Sequence, residues 1–162
     1  MSIIYQTNNF TVEAHQRPHV DRNDGGHVVI RPKERITDRQ DLTPEQAIEL
    51  MRLTIVAGEA MAKVMNERGV DIGRINYQDN GNWSVFNPEG PHFHMHLYGR
   101  AKSAKVHKYG QACYFPHIDD QPEYYENFKP LTKEDVEEIG REMEKIFADD
   151  KFSDEKWFGV DY

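Results

Sequence analysis

The sequence predicts an α+β fold: an antiparallel sheet of about five strands, one long helix packed on it, and a C-terminal helix with an aromatic tail. Three observations carry the prediction. Several short runs alternate apolar and polar residues with the period of a half-buried strand. A long apolar stripe with the helical period follows Thr43, and a shorter one follows Thr132.

In chain order, Phe10, Val12 and Ala14 alternate with Thr11, Glu13 and His15, which reads as a strand. A polar turn over 16–26 ends in Gly25-Gly26, and residues 27–33 read as the next strand. Asp24-Gly25 is a hairpin signal, so these two strands pair antiparallel. Thr43 then caps a helix, Pro44 suits its first position, and Gln46 completes a capping box. Its apolar stripe runs through Ala47, Leu50, Met51, Ala57, Met61, Val64 and Met65 before Gly69 ends it, with the methionines filling the core. Residues 72–78 form a third strand, 79–82 a tight turn, and 83–86 a short further strand. The loop Asn87-Pro88-Glu89-Gly90-Pro91 delivers the chain, at Pro91, into another strand. Residues 101–131 carry Tyr109, Tyr114, Phe115, Tyr124, Tyr125 and Phe128 without clean periodicity and read as a packed irregular loop. Val136, Ile139, Met143, Ile146 and Phe147 lie on one helical stripe, and Trp157, Phe158 and Tyr162 form a tail that docks on its own domain or on a partner subunit.

With 162 residues and neither repeat nor linker, the expectation is one domain over 1–162, with its core over about 10–100 and an extension over about 101–162. A hydrophobic content of 38% with 30% charged residues fits a soluble globule. No apolar run approaches a membrane span, and Met1-Ser2-Ile3-Ile4-Tyr5 lacks the features of a signal peptide. The single cysteine, Cys113, excludes an intrachain disulfide and points to the cytoplasm. A net charge of −8 argues against a nucleic-acid binder. Residues 90–118, however, contain no acid while holding Arg100, Lys102, Lys105 and Lys108, a window suited to a phosphorylated ligand.

That window opens on the most informative stretch of the chain, residues 91–100, where His92, His94 and His96 alternate with Phe93, Met95 and Leu97. In a strand the apolar set enters the core and the imidazoles line the opposite face. Two chemistries want such a row. Imidazoles on one strand chelate zinc or iron when further ligands join them. Alternatively, a neutral imidazole attacks phosphorus while its neighbours orient it and donate hydrogen bonds to phosphate oxygens.

His92-Phe93-His94-Met95-His96-Leu97-Tyr98 resembles the His-φ-His-φ-His-φ-φ signature (φ apolar) of the histidine triad (HIT) superfamily. Gly25-Gly26-His27-Val28-Val29-Ile30-Arg31-Pro32-Lys33, followed by Asp41-Leu42-Thr43-Pro44-Glu45, resembles that family's second landmark, a strand that opens near a histidine and leads to the main helix. The resemblance implies the strand order, a homodimer, and a nucleotide hydrolase or nucleotidyl transferase acting on an α-phosphate through a covalent histidine. Dinucleoside polyphosphates and nucleoside phosphoramidates are the substrate types it implies, with no cofactor and no metal.

Carried over by position, His94 becomes the nucleophile, His96 the contact to phosphate oxygens and leaving group, His92 an orienting residue, and His27 the separate early histidine. Gln78, Asn80 and Asn82 compete for a nucleotide contact, and Lys102 belongs to the basic window. Two positions depart from the pattern. Glu89 stands five residues before His94, where a small hydroxyl residue is usual, and His19 takes the position of a ribose-contacting acid, eight residues before His27. The rival readings are a metal-dependent enzyme using the histidine strand as ligands and a nucleotide-binding protein with little catalysis.

Overall fold

The computed structural model describes residues 2–79 and 81–159, and of Asn82 the backbone alone. Its sheet has five antiparallel strands: β1 (Ser2–Gln6), β2 (Phe10–Ala14), β3 (His27–Pro32), β4 (Ile72–Gln78) and β5 (Met95–Ala101). Their spatial order is β1-β2-β3-β5-β4. The helices are α1 (Pro44–Glu67), α2 (Lys133–Phe147) and a short α3 (Asp154–Phe158).

Both long helices start as their sequences predict. Thr43 and Thr132 each accept from the third helical backbone N–H, while Gln46 and Asp135 reach back to the cap N–H. One face of α1 buries Leu50, Leu53, Val56, Ala57, Met61, Val64 and Met65 against the sheet, and Gly69 ends the turn with φ at +84°. Met51 departs from the predicted stripe, being 59% exposed on the solvent side. From β2, β3 and β5, the residues Phe10, Val12, Val28, Ile30, Met95 and Leu97 complete the core.

The strand count agrees with the prediction, but the strands differ. Residues 83–86 make no strand: Asn82–Ser84 form a 3-10 turn, and Val85 and Phe86 project into solvent with no sheet to cover them. The missing member is β1, which pairs with β2 through an irregularity between Ile3 and Tyr5 and packs against α2. Its side chains are exposed or half-buried, so the periodic signal of a half-buried strand is absent. The triad strand begins at Met95 rather than Pro91, so His92 and His94 precede the ladder.

The segment between β2 and β3 is drawn tightly onto the molecule. Gly25 and Gly99 approach so closely that a Cβ on either would fall about 2 Å from the other's carbonyl oxygen, so both positions demand glycine. Arg22 reaches the fully buried Asp135 of α2 at 2.6 and 2.8 Å, and Arg68, the residue that caps the end of α1, joins the same carboxylate. Asp24 accepts backbone N–H bonds from Lys105, Val106 and His107, which pins the start of the 101–131 loop. As predicted, that loop is irregular and packed, with aromatic contacts among Tyr114, Tyr124, Tyr125 and Phe128. In the tail, Trp157 stacks on Phe152, while Tyr162 lies outside the described residues.

Candidate active site

The face of the sheet opposite α1 carries the imidazoles. In register, His27 pairs with Tyr98 and Val29 with His96, and the side chains at 27, 96 and 98 share one face. The geometry follows from the alternation: Phe93, Met95 and Leu97 are buried in the core while His92, His94 and His96 turn the other way. His15, one residue beyond β2, stacks on His27 at a centroid distance of 4.7 Å, and His19 lies 4.9 Å from it. Six imidazoles thus meet on a surface where the sequence drew attention to five, His15 being the one not singled out. The alternation Thr11, Glu13, His15 could have placed His15 on this face. His19, marked in the sequence only by its spacing from His27, is brought onto the rings by the folded turn.

A cavity of about 450 Å³ opens over these rings. Its walls include His15, Arg17, His19, His94, His96 and Tyr98 from the sheet side, with Trp83, Phe115 and Ile118 from the loops. Among the described residues no carboxylate lines it. Phe115 and Ile118 come from the aperiodic 101–131 loop, so no pattern in the sequence marks them as site residues.

Hydrogen bonds determine which ring nitrogens carry protons. The backbone N–H of His19 donates to His27 Nδ1 at 3.2 Å, so neutral His27 holds its proton on Nε2. That Nε2–H donates to His96 Nδ1 at 2.9 Å, which leaves the His96 proton on Nε2. His96 therefore presents an N–H to the cavity it lines. His94 is arranged the opposite way. Its Nδ1–H donates to the carbonyl oxygen of His92 at 2.9 Å, so Nε2 keeps a free lone pair. One wall thus offers a nucleophilic nitrogen and a hydrogen-bond donor side by side, with the two rings 4.5 Å apart.

Burial keeps these rings neutral. It lowers His94 to about 4, with Arg31 and neighbouring imidazoles opposing a proton and the His92 carbonyl favouring one. Burial likewise brings His19 down to about 3 and His96 to about 2, aided by the other imidazoles, and holds fully buried His27 well below its usual value. The same burial raises the Tyr98 hydroxyl, which stays protonated 3.1 Å from His19 Nδ1.

The other sequence candidates are distributed unevenly. Gln78 lies at the end of β4, level with His96 in the register, whereas Asn80 and the side chain of Asn82 lie outside the described residues. Glu89 turns its side chain to solvent, and its loop is held by Arg35, which donates to the carbonyls of Glu89, Gly90 and Pro91. Lys102 stands beyond the far end of β5 from His94, where its backbone bonds to Asp71. Arg100 is buried and donates to the carbonyls of His107, Lys108 and Gln111, so its charge holds a loop instead of lining the cavity.

Among the described residues, the nitrogens that converge closely enough for a metal ion belong to His19, His27 and His96, within 4.8 Å, so that one member of the triad takes part and His92 and His94 do not. The donor set fits a metal poorly. Both His27 nitrogens are already engaged, Nδ1 by the His19 N–H and Nε2 by His96, so a metal ion would have to displace one of those bonds.

A family model described as HIT domain matches residues 1–103. Similar solved structures include a hypothetical histidine triad nucleotide-binding protein from Sulfolobus tokodaii (15% identity, 96% of this chain and 90% of that one, TM-score 0.57). A zinc-bound histidine triad family protein from Mycobacterium smegmatis also resembles it (19% identity, 89% and 84% covered, TM-score 0.57). So does a Hit-like protein from Bartonella henselae described as involved in cell-cycle regulation (12% identity, 89% and 84% covered, TM-score 0.55). No curated protein matched the sequence.

Proposed function

Because the chain belongs to the HIT family, we propose that it hydrolyses or transfers a nucleotidyl group through a covalent intermediate on His94. The observation that carries this reading is the pinning of His94 Nδ1 to the His92 carbonyl, which frees Nε2 as a neutral nucleophile beside the cavity. In the first half-reaction the Nε2 lone pair forms a bond to the α-phosphorus and the bond to the leaving group breaks. The leaving group departs with that electron pair, under a hydrogen bond from His96 Nε2–H. In the second, water attacks the same phosphorus, the N–P bond returns its pair to His94, and the water proton passes to the solvent or to the departed group. Products are a nucleoside monophosphate and the leaving group, a polyphosphate as its anion or an amine with the proton.

The neutral His27–His96 relay favours one substrate type. With His27 Nε2–H aimed at its Nδ1, His96 supplies a hydrogen bond more readily than a whole proton. A polyphosphate leaves as an anion and needs no more than that. Dinucleoside polyphosphates are therefore the first substrates to test and nucleoside phosphoramidates the second. The site works as a cytoplasmic homodimer in this reading. β4 is an edge strand with Tyr77 exposed on it and Met51 exposed on α1 nearby, a surface a second copy can cover.

The test is turnover of both substrate types by wild type and His94→Ala, with trapping of an acid-labile nucleotidyl adduct. Turnover and adduct in wild type, both lost in His94→Ala while nucleotide still binds, support the reading. Equal turnover in His94→Ala ends it. Nucleotide binding without turnover of either substrate favours a binding protein.

A further inference from the structure

Among the described residues the cavity wall holds Arg17 and no lysine, and a phosphoryl group on His94 brings negative charge that a partly buried site must answer beside that nucleophile. We propose that Arg31 is a further catalytic residue, whose guanidinium binds the non-bridging oxygens of the phosphoryl group attacked by His94. The inference rests on the reading of His94 as the phosphoryl acceptor.

Four features of the structure support it. Arg31 follows Ile30, the partner of Met95, so it lies level with His94, and it shares the face of Val29, the partner of His96. Its Nη1 is 3.5 Å from His92 Nε2, and the His92 ring stacks on that of His94 with centroids 5.0 Å apart. The guanidinium is loosely held: Nε is buried without a hydrogen-bond partner, and the Glu13 carboxylate lies 3.5 Å away. Glu13 is no better satisfied, since its Oε1 takes the Thr11 hydroxyl while Oε2 is buried and also without a hydrogen bond. A well-made arginine–carboxylate pair is shorter and often bidentate, as at Asp135 of this same protein. Arg31 is instead a cation with hydrogen-bonding capacity in reserve, and its field already acts on His15, His92, His94 and His96. An incoming phosphate supplies the acceptors that Glu13 leaves unmatched.

The experiment is calorimetric titration of the intact chain with AMP and, separately, with adenosine, which lacks the phosphate. Arg31→Gln is expected to weaken AMP by about tenfold or more and leave adenosine unchanged. Arg31→Lys retains part of the AMP affinity, and Glu13→Gln, which releases the guanidinium, tightens it. The last two variants carry the test if Arg31→Gln does not fold. In turnover, Arg31→Gln lowers kcat by about a hundredfold. Equal AMP affinity in wild type and Arg31→Gln overturns the inference, and so does an equal loss for AMP and adenosine. Wild type that binds AMP but turns over neither substrate type defeats the hydrolase reading alone, and the AMP-to-adenosine contrast still decides Arg31. Wild type that binds neither ligand defeats both.

Discussion

Replacing His27 by Phe removes the donor that sets the tautomer of His96. The ring is 1% exposed and lies beneath the cavity, so a phenyl group of similar size fills its place without touching substrate. What disappears is the Nε2–H bond of 2.9 Å to His96 Nδ1, together with the Nδ1 acceptor of the His19 backbone N–H. Without it both neutral tautomers of His96 leave Nδ1 unpaired, and the Nε2–H no longer points reliably into the cavity. A buried hydrogen bond of this kind is worth about 1–3 kcal/mol when one partner is orphaned. If that energy is fully expressed in the transition state, kcat falls by roughly 5- to 150-fold. KM changes less than kcat, because His27 does not line the cavity and reaches it only through neighbours such as the His19 backbone and His96. Steady-state kinetics on a dinucleoside polyphosphate measures the loss, and nitrogen NMR of the imidazoles reads the tautomer. Wild type should show His96 protonated on Nε2, and His27→Phe a mixture. A kcat within twofold of wild type, in a folded variant with an unchanged His96 tautomer, would refute the relay.

Other expectations follow from the same contacts. Acid should destabilise the protein through the imidazole cluster: in the unfolded chain these rings bind protons near pH 6.5, while folded His94, His19 and His96 resist until about 4, 3 and 2. The unfolded state therefore binds more protons below pH 6.5, and stability is lost as pH falls toward the folded values. Calorimetry should show Tm dropping by about 5–10 °C between pH 7 and pH 5, and an unchanged Tm would contradict neutral buried rings. Asp135→Asn should cost about 3 kcal/mol, since it leaves Arg22 and Arg68 without the carboxylate they share; urea denaturation measures it. Burial works against the charge of Asp135, but bonds from Arg22, the Thr132 N–H and Arg68 hold its carboxyl at about 2, so this contribution persists above pH 4 and fades only as pH falls through that value. Neutralising Lys102, Lys105 and Lys108 together should leave KM for a dinucleoside polyphosphate within about twofold at low salt, where surface charges are least screened. A large rise would return those lysines to the site.

The sequence by itself determined the elements whose signals are local. Threonine caps, helical stripes and the alternation at residues 91–98 needed nothing from elsewhere in the chain, and they located α1, α2, β5 and the imidazole face. His27 and the triad could be named because a motif's spacing survives whatever surrounds it. Tertiary structure decided everything that depends on where distant segments meet. β1 carries no alternating pattern, because its side chains stay exposed or half-buried, and only its pairing with β2 makes it a strand. Residues 83–86 have the composition of a strand, but no neighbouring strand is there to bond them.

Charge was the least legible property. The acid-free window of residues 90–118 looks like a phosphate site along the chain, yet the fold spends Arg100 on loop carbonyls and carries Lys102 to the far end of β5. It sets Arg31 beside the triad instead, through a strand register that no linear pattern encodes. Protonation states belong to the same class: a histidine's tautomer depends on the donor or acceptor it meets. For His27 that is the backbone of His19, and for His94 it is the carbonyl of His92. The residue types were in the sequence, but which nitrogen keeps a lone pair and which carries a proton was settled only by packing them together.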